Sequence, residues 1–168
     1  MSRTSPRPRR LGRLAAGLSV AVAVTATTLL GATPAYAQSN SVTTSVSDGT
    51  LNVVGTSFGD NVSASGSSGT VTVSNLAGSI TAGNGCTQLG ATVRCAGVSG
   101  IQFSGLSGDD TFRNDTSTRS FLSGGAGSDR ITGGPGADVI RGGSGTDFAF
   151  GQGGFDICTA ENESGCEG

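Results

Sequence analysis

Asp129, Asp138, Asp147 and Asp156 recur nine residues apart, and the chain around them reads "GGAGSDRIT", "GGPGADVIR", "GGSGTDFAF" and a degenerate "GQGGFDICT". Evenly spaced carboxylates can hold a cation or work as acids and bases. Their neighbours favour the first. Twelve of the 31 residues from Gly124 to Gly154 are glycine, and a glycine costs conformational entropy wherever it is ordered. Glycine at fixed positions therefore points to sharp turns that bring backbone carbonyls close to a common point. Carboxylate and carbonyl oxygens together suit a hard cation that takes six to eight oxygens at about 2.3–2.6 Å. Calcium fits such a set better than magnesium, which keeps a small octahedral shell and its water. The plain rival is an aspartate that caps its own turn by hydrogen bonds. That explains one Asp in one turn, but not paired glycines, an Asp and an apolar residue kept in phase.

A six-residue turn followed by a three-residue strand, repeated, gives a flattened coil with two nonamers per circuit. Asp129 is then expected one circuit from Asp147, and Asp138 one circuit from Asp156 on the opposite edge, which makes about two cation positions. The apolar residues two after each Asp, namely Ile131, Ile140, Ala149 and Cys158, with Leu122 one nonamer earlier, should stack inward. Each such side chain contributes roughly 1.5–3 kcal/mol when buried, against a backbone ordering cost of about 1–2 kcal/mol per residue. So thin a core needs help from a ligand. A third position involves Asp110, because "GLSGDD" copies the turn with Leu106 for the second glycine, although Asp110 lies 19 residues before Asp129 and a bulge is required. Asp115 to Ser120 lacks every glycine and is expected to bind no ion, and "GTSFGD" at Gly55 to Asp60 is a fainter echo.

The pattern G-G-x-G-x-D-x-U-x, with U apolar, is met three times without a break, and on those residues the chain resembles the RTX, or haemolysin-type, calcium-binding repeat family. The resemblance implies an all-β fold: a C-terminal parallel β-roll continuous with a β-rich N-terminal capping region. It implies calcium held between adjacent turns by Asp129, Asp138, Asp147 and Asp156, beside the third position read at Asp110. The carbonyls would come from the glycine-rich turns at Gly124, Gly125, Gly127, Gly133, Gly134, Gly136, Gly142, Gly143 and Gly145. Gln152 and Phe155 depart from the pattern in the turn before Asp156.

Residues 1–37 read as a cleaved secretory signal: five arginines by residue 13, a small apolar run and "AYA" before Gln38. "RRLGRL" leaves the twin-arginine and general export routes both open. Without that segment five arginines face twelve acids, a net charge of −7. That charge, with no lysine anywhere, argues against nucleic acid, which is not expected as a partner. The mature chain is expected outside a bacterial cell or on its surface, without a membrane span, its surface, glycan or protein partner unknown.

Residues 38–104 contain short β-like pieces ("SVTTSV", "LNVV", "DNVSAS", "TVTVSN", "ATVRC", "GIQFS") separated by Gly/Ser/Asn turns, and form the expected cap. The β-roll is expected over 105–159 and a short disulfide-closed tail over 160–168. Four cysteines allow three pairings, of which the local one, Cys86 with Cys95 and Cys158 with Cys166, is expected. Zinc would want C-x-x-C spacing or histidine, and the chain has no His. Phe148, Phe150 and Phe155 are expected under the C-terminal cap, and Glu161, Glu163 and Glu167 on a solvated face. With neither His nor Lys, and no GxSxG or HExxH arrangement, the residue sets of common catalysts are missing, so an enzyme is not expected. The alternative to simple calcium binding is an adhesive or structural module that calcium stiffens.

Overall fold

The computed structural model describes residues 41–67 and 69–167, so the expected signal over 1–37 lies outside the described residues. Alternating small apolar and hydroxyl side chains dictate strands throughout. In Thr70–Asn75, Val71 and Val73 are buried while Thr72 and Ser74 face outward, as a two-residue period requires.

Among the described residues fifteen strands result: β1 Ser41–Ser47, β2 Thr50–Val54, β3 Asn61–Ser67, β4 Thr70–Asn75, β5 Ser79–Ala82, β6 Cys86–Leu89, β7 Thr92–Ala96, β8 Gly100–Ser107, β9 Thr111–Asp115, β10 Ser120–Ala126, β11 Arg130–Gly134, β12 Asp138–Ser144, β13 Phe148–Gln152, β14 Ile157–Thr159 and β15 Asn162–Ser164. They form two sheets, in the order β14-β12-β10-β8-β2-β1-β5 and β15-β13-β11-β9-β3-β4-β7-β6. From β8 to β15 successive strands alternate between the sheets and pair in parallel, so two strands and two turns make one circuit. Before β8 the chain uses antiparallel hairpins, β1–β2 and β3–β4, and hands over through parallel pairs β2–β8 and β3–β9. The fold is all-β with mostly parallel pairing in the repeat region.

Inward side chains of both sheets share one core. Leu122, Ile131, Ile140, Ala149 and Cys158 all lie in it, as the nonamer phase requires. Its largest members, Phe103 and Phe112, stack with ring centroids 4.3 Å apart where hairpins give way to parallel strands. Strands β10 to β13 are longer than the expected three residues, because glycines extend the ladder, as in Gly125 opposite Gly143, while β14 keeps three. Both disulfides are the local ones, and Cys86 and Cys95 face each other across the β6–β7 hairpin.

The 19-residue offset is resolved away from Asp110. Arg113 pairs with Thr132, 19 residues on, but Ser120 pairs with Asp138, 18 on. The extra residue is therefore taken up in the glycine-free turn after Arg113. There Asn114 accepts bonds from the Thr116 amide at 3.0 Å and hydroxyl at 2.8 Å and donates to the Thr118 carbonyl at 3.2 Å.

Candidate metal centre

The turns between strands stack along two edges, and each edge carries a ladder of carboxylates. On the first, the Asp60 N–H donates to Asp110 Oδ1 at 2.7 Å and the Asp110 N–H to Asp129 Oδ1 at 2.8 Å. The Asp129 N–H then donates to Asp147 Oδ1 at 2.9 Å, and the Asp147 N–H to Glu161 Oε2 at 2.9 Å. On the second, the Ser120 hydroxyl donates to Asp138 Oδ1 at 2.5 Å, the Asp138 N–H to Asp156 Oδ1 at 2.9 Å, and the Asp156 N–H to Glu167 Oε2 at 2.5 Å. Asp129 and Asp147, and Asp138 and Asp156, are thus neighbours one circuit apart, and the direct link between them runs from carboxylate to backbone amide.

One oxygen of each aspartate is spent on that link. The other, Oδ2, is buried without a hydrogen-bond partner in Asp110, Asp129, Asp138, Asp147 and Asp156. Leaving a buried acceptor unpaired costs about 1–3 kcal/mol, more when it is charged. Asp60 shows the alternative in the same fold. Its Oδ2 accepts the Thr56 N–H at 2.7 Å and its Oδ1 the Asn75 amide at 3.0 Å, so the protein satisfies it completely.

Backbone conformation at the second residue of the turn accompanies the difference. Gly125, Gly134 and Gly143 have φ between 119° and 125°, and Leu106 and Gln152 keep positive values of 76° and 77° although neither is glycine. Thr56, at the equivalent place, is not in that region and turns its N–H onto Asp60. The first glycine of each turn is required for another reason. A Cβ on Gly105, Gly124, Gly133, Gly142 or Gly151 would run into Oδ2 of that turn's own aspartate. At Gly133 the same point is 2.8 Å from the Gly151 carbonyl oxygen of the next circuit. Carboxylate and carbonyl oxygens thus approach one space that glycine leaves open.

Burial pushes the Asp110 carboxyl up to about 7, with the Asp60 N–H opposing and the carboxylates of Asp129, Asp60 and Asp109 adding to the rise. Burial likewise raises Asp138 to about 6, opposed by the Ser120 hydroxyl, and raises Asp129 and Asp156. Among the described residues no three Asp, Glu, Cys or His side chains converge as a metal cluster. A cation here would have to draw on backbone carbonyls as well. The donors are all hard oxygens, their charge is unpaired and their bases are held by the ladder, which fits a hard divalent cation and offers nothing to zinc or copper.

Some functional residues escaped the sequence. Glu161 and Glu167 end the two ladders while remaining exposed, so the segment after Thr159 is more than a solvated face. They lie 14 and 11 residues after the aspartates they serve, out of phase with the nonamer. Phe148 and Phe155 stand exposed instead of lying under a cap, and Phe150 carries the Arg130 guanidinium 4.3 Å above its ring. No helix among the described residues is long and apolar enough to cross a membrane.

No curated protein and no solved structure matches the chain. A scan against protein families matches residues 123–158 to the RTX calcium-binding nonapeptide repeat. That family is a non-catalytic, calcium-binding one, which supports a binding and not an enzymatic role. The ladder of aspartates between Gly124 and Cys158 therefore belongs to four consecutive copies of the RTX, or haemolysin-type, calcium-binding repeat.

Proposed function

We propose that the chain is a secreted bacterial protein whose repeats bind calcium between circuits and acquire their fold by doing so outside the cell. The supporting observation is the row of buried, unpartnered carboxylate oxygens at Asp129, Asp138, Asp147 and Asp156. Calcium supplies two positive charges and a shell of six to eight oxygens. The aspartates offer Oδ2 while Oδ1 anchors the side chain to the preceding circuit. The paired glycines keep the space beside Oδ2 free and let carbonyls approach it. The Asp129/Asp147 and Asp138/Asp156 pairs give two positions.

Without a cation the stacked charges oppose the fold, so binding energy becomes folding energy, as for any ligand of the native state alone. Extracellular calcium modules work at about 10⁻⁴–10⁻³ M, a level met outside the cell and not within it. Closure of the sheets as a β-roll, with residues 38–104 capping its first circuit, follows from this reading and is supported by the shared core. Release of a signal over residues 1–37 and an extracellular or cell-surface location complete it. Phe121, Phe148, Phe155 and Ile157 are exposed on the outside, which favours a second role as a calcium-stiffened surface for adhesion.

The test is far-UV circular dichroism of chelated protein titrated separately with calcium and magnesium. A cooperative gain of β signal with calcium alone is expected. A fully formed spectrum in chelator that neither ion changes would refute calcium-coupled folding.

A further inference from the structure

The matched repeats begin at residue 123, yet the turn from Gly105 to Asp110, one circuit earlier, has their construction. Asp110 is 1% exposed and its Oδ1 is occupied by the Asp60 N–H, while its Oδ2 is buried with no partner. A Cβ on Gly105 would meet both that Oδ2 and the carbonyl oxygen of Gly124 in the next circuit. The carbonyls of Leu106 and Gly108 face Gly125 and Gly127 so closely that neither could carry a side chain. Asp109 adds a second acid at the same edge, where its Oδ1 accepts the Ser128 N–H at 2.8 Å.

Leu106 is the telling residue. An exposed leucine has no packing reason to hold φ at 76°, a conformation that costs an L-residue roughly 1–2 kcal/mol. One circuit earlier again, Thr56 avoids it and closes the Asp60 carboxylate with its own N–H. The turn at 105–110 therefore keeps the open form at a cost, and the turn at 55–60 does not.

Building on the calcium reading of the repeats, we propose that Gly105–Asp110 is a calcium-binding turn outside the repeat consensus. Asp110 Oδ2 serves as its carboxylate ligand, with the Gly124 carbonyl and the carbonyls of Leu106 and Gly108 as its companions. The cation column on the first edge then starts at Asp110 and stops short of Asp60, whose oxygens are already spent.

The experiment is equilibrium dialysis of the full chain against calcium, with bound metal counted per chain, for the parent, Asp110→Asn and Asp138→Asn. Asparagine keeps an oxygen for the Asp60 amide but puts a donor where Oδ2 was. Asp110→Asn is expected to bind one calcium fewer, with an unchanged circular dichroism spectrum at saturating calcium, and Asp138→Asn also to lose at least one. A full count in Asp110→Asn beside a loss in Asp138→Asn overturns this site and leaves the repeats standing. Full counts in both overturn the repeat reading and this site with it. If Asp110→Asn fails to fold, anomalous scattering from terbium-soaked crystals of the parent decides. A peak bonded to Asp110 Oδ2 supports the site, and peaks confined to later turns overturn it.

Discussion

Asp138→Asn should change the sign of its effect as calcium is added. Asp138 is 1% exposed and its carboxyl is raised from 3.8 to about 6. Ionising it in the native state above that pH costs on the order of 3 kcal/mol at about 1.4 kcal/mol per pH unit. Asparagine removes the charge, still accepts from the Ser120 hydroxyl, and places an amide donor beside the Gly151 carbonyl.

In chelator at pH 8 the variant should therefore be more stable by about 3 kcal/mol. With calcium, the parent gains RT ln(1 + [Ca]/Kd) at a site the variant has lost. The stability curves cross where that gain reaches about 3 kcal/mol, at roughly 150 times Kd. At a thousand times Kd the gain is about 4.1 kcal/mol and the variant should be about 1 kcal/mol less stable. Urea midpoints over a calcium series, with an osmolyte to populate the native state in chelator, measure the crossing. A variant less stable at every calcium concentration, chelator included, would show that the unpartnered Oδ2 is not what opposes the calcium-free fold.

The pH dependence follows from the same groups. Their native values are raised, so the stability they contribute is full below 3.8 and is lost as pH climbs through about 6 for Asp138 and about 7 for Asp110. Chelated protein should weaken from pH 4 to 7 and then level off, while the calcium midpoint should rise as pH falls below 7; thermal melts and titrations at stepped pH check both. Gln152→Gly should stabilise by about 0.5–1 kcal/mol, the left-handed strain of roughly 1–2 kcal/mol less the entropy glycine adds to the unfolded chain. Gln152→Ala should show no such gain in the same urea assay. Replacing Cys158 and Cys166 together by Ala removes a link between residues eight apart and should cost about 2.5 kcal/mol, read as a higher calcium midpoint in non-reducing buffer, where the Cys86–Cys95 link stays intact.

The nonamer phase made the repeat region legible, because strand alternation and inward burial follow directly from a fixed period. Leu122, Ile131 and Ile140 stack as that period requires, and the ladder partners of Asp129 and Asp138 lie where it places them. What period cannot carry is contact between segments that share none. Asp60 joins the first ladder from 50 residues away through its amide, and Glu161 and Glu167 join both ladders from irregular distances. The short strands β5 and β6 were invisible for a related reason: "SITA" and "CTQL" are too brief to alternate convincingly and are strands because β1 and β7 pair with them. The bulge that Asp110 required was placed by a turn with no consensus residue at all, since Asn114 and Thr116 satisfy the extra backbone locally.

The carboxylate ladder has a direction. Every aspartate amide on either edge waits for an acceptor that comes later in the chain, 50 residues on for Asp60, 18 or 19 within the repeats and then 14 or 11 at Glu161 and Glu167. A chain made from its N-terminus thus presents each donor a full circuit before its acceptor exists. Each new circuit meets the amide left by the one before and passes an unmet bond forward, and only Glu161 and Glu167 discharge it. Completion thus travels with synthesis, and an unfinished chain carries an unmet amide at the growing end of each edge until its last glutamate is free.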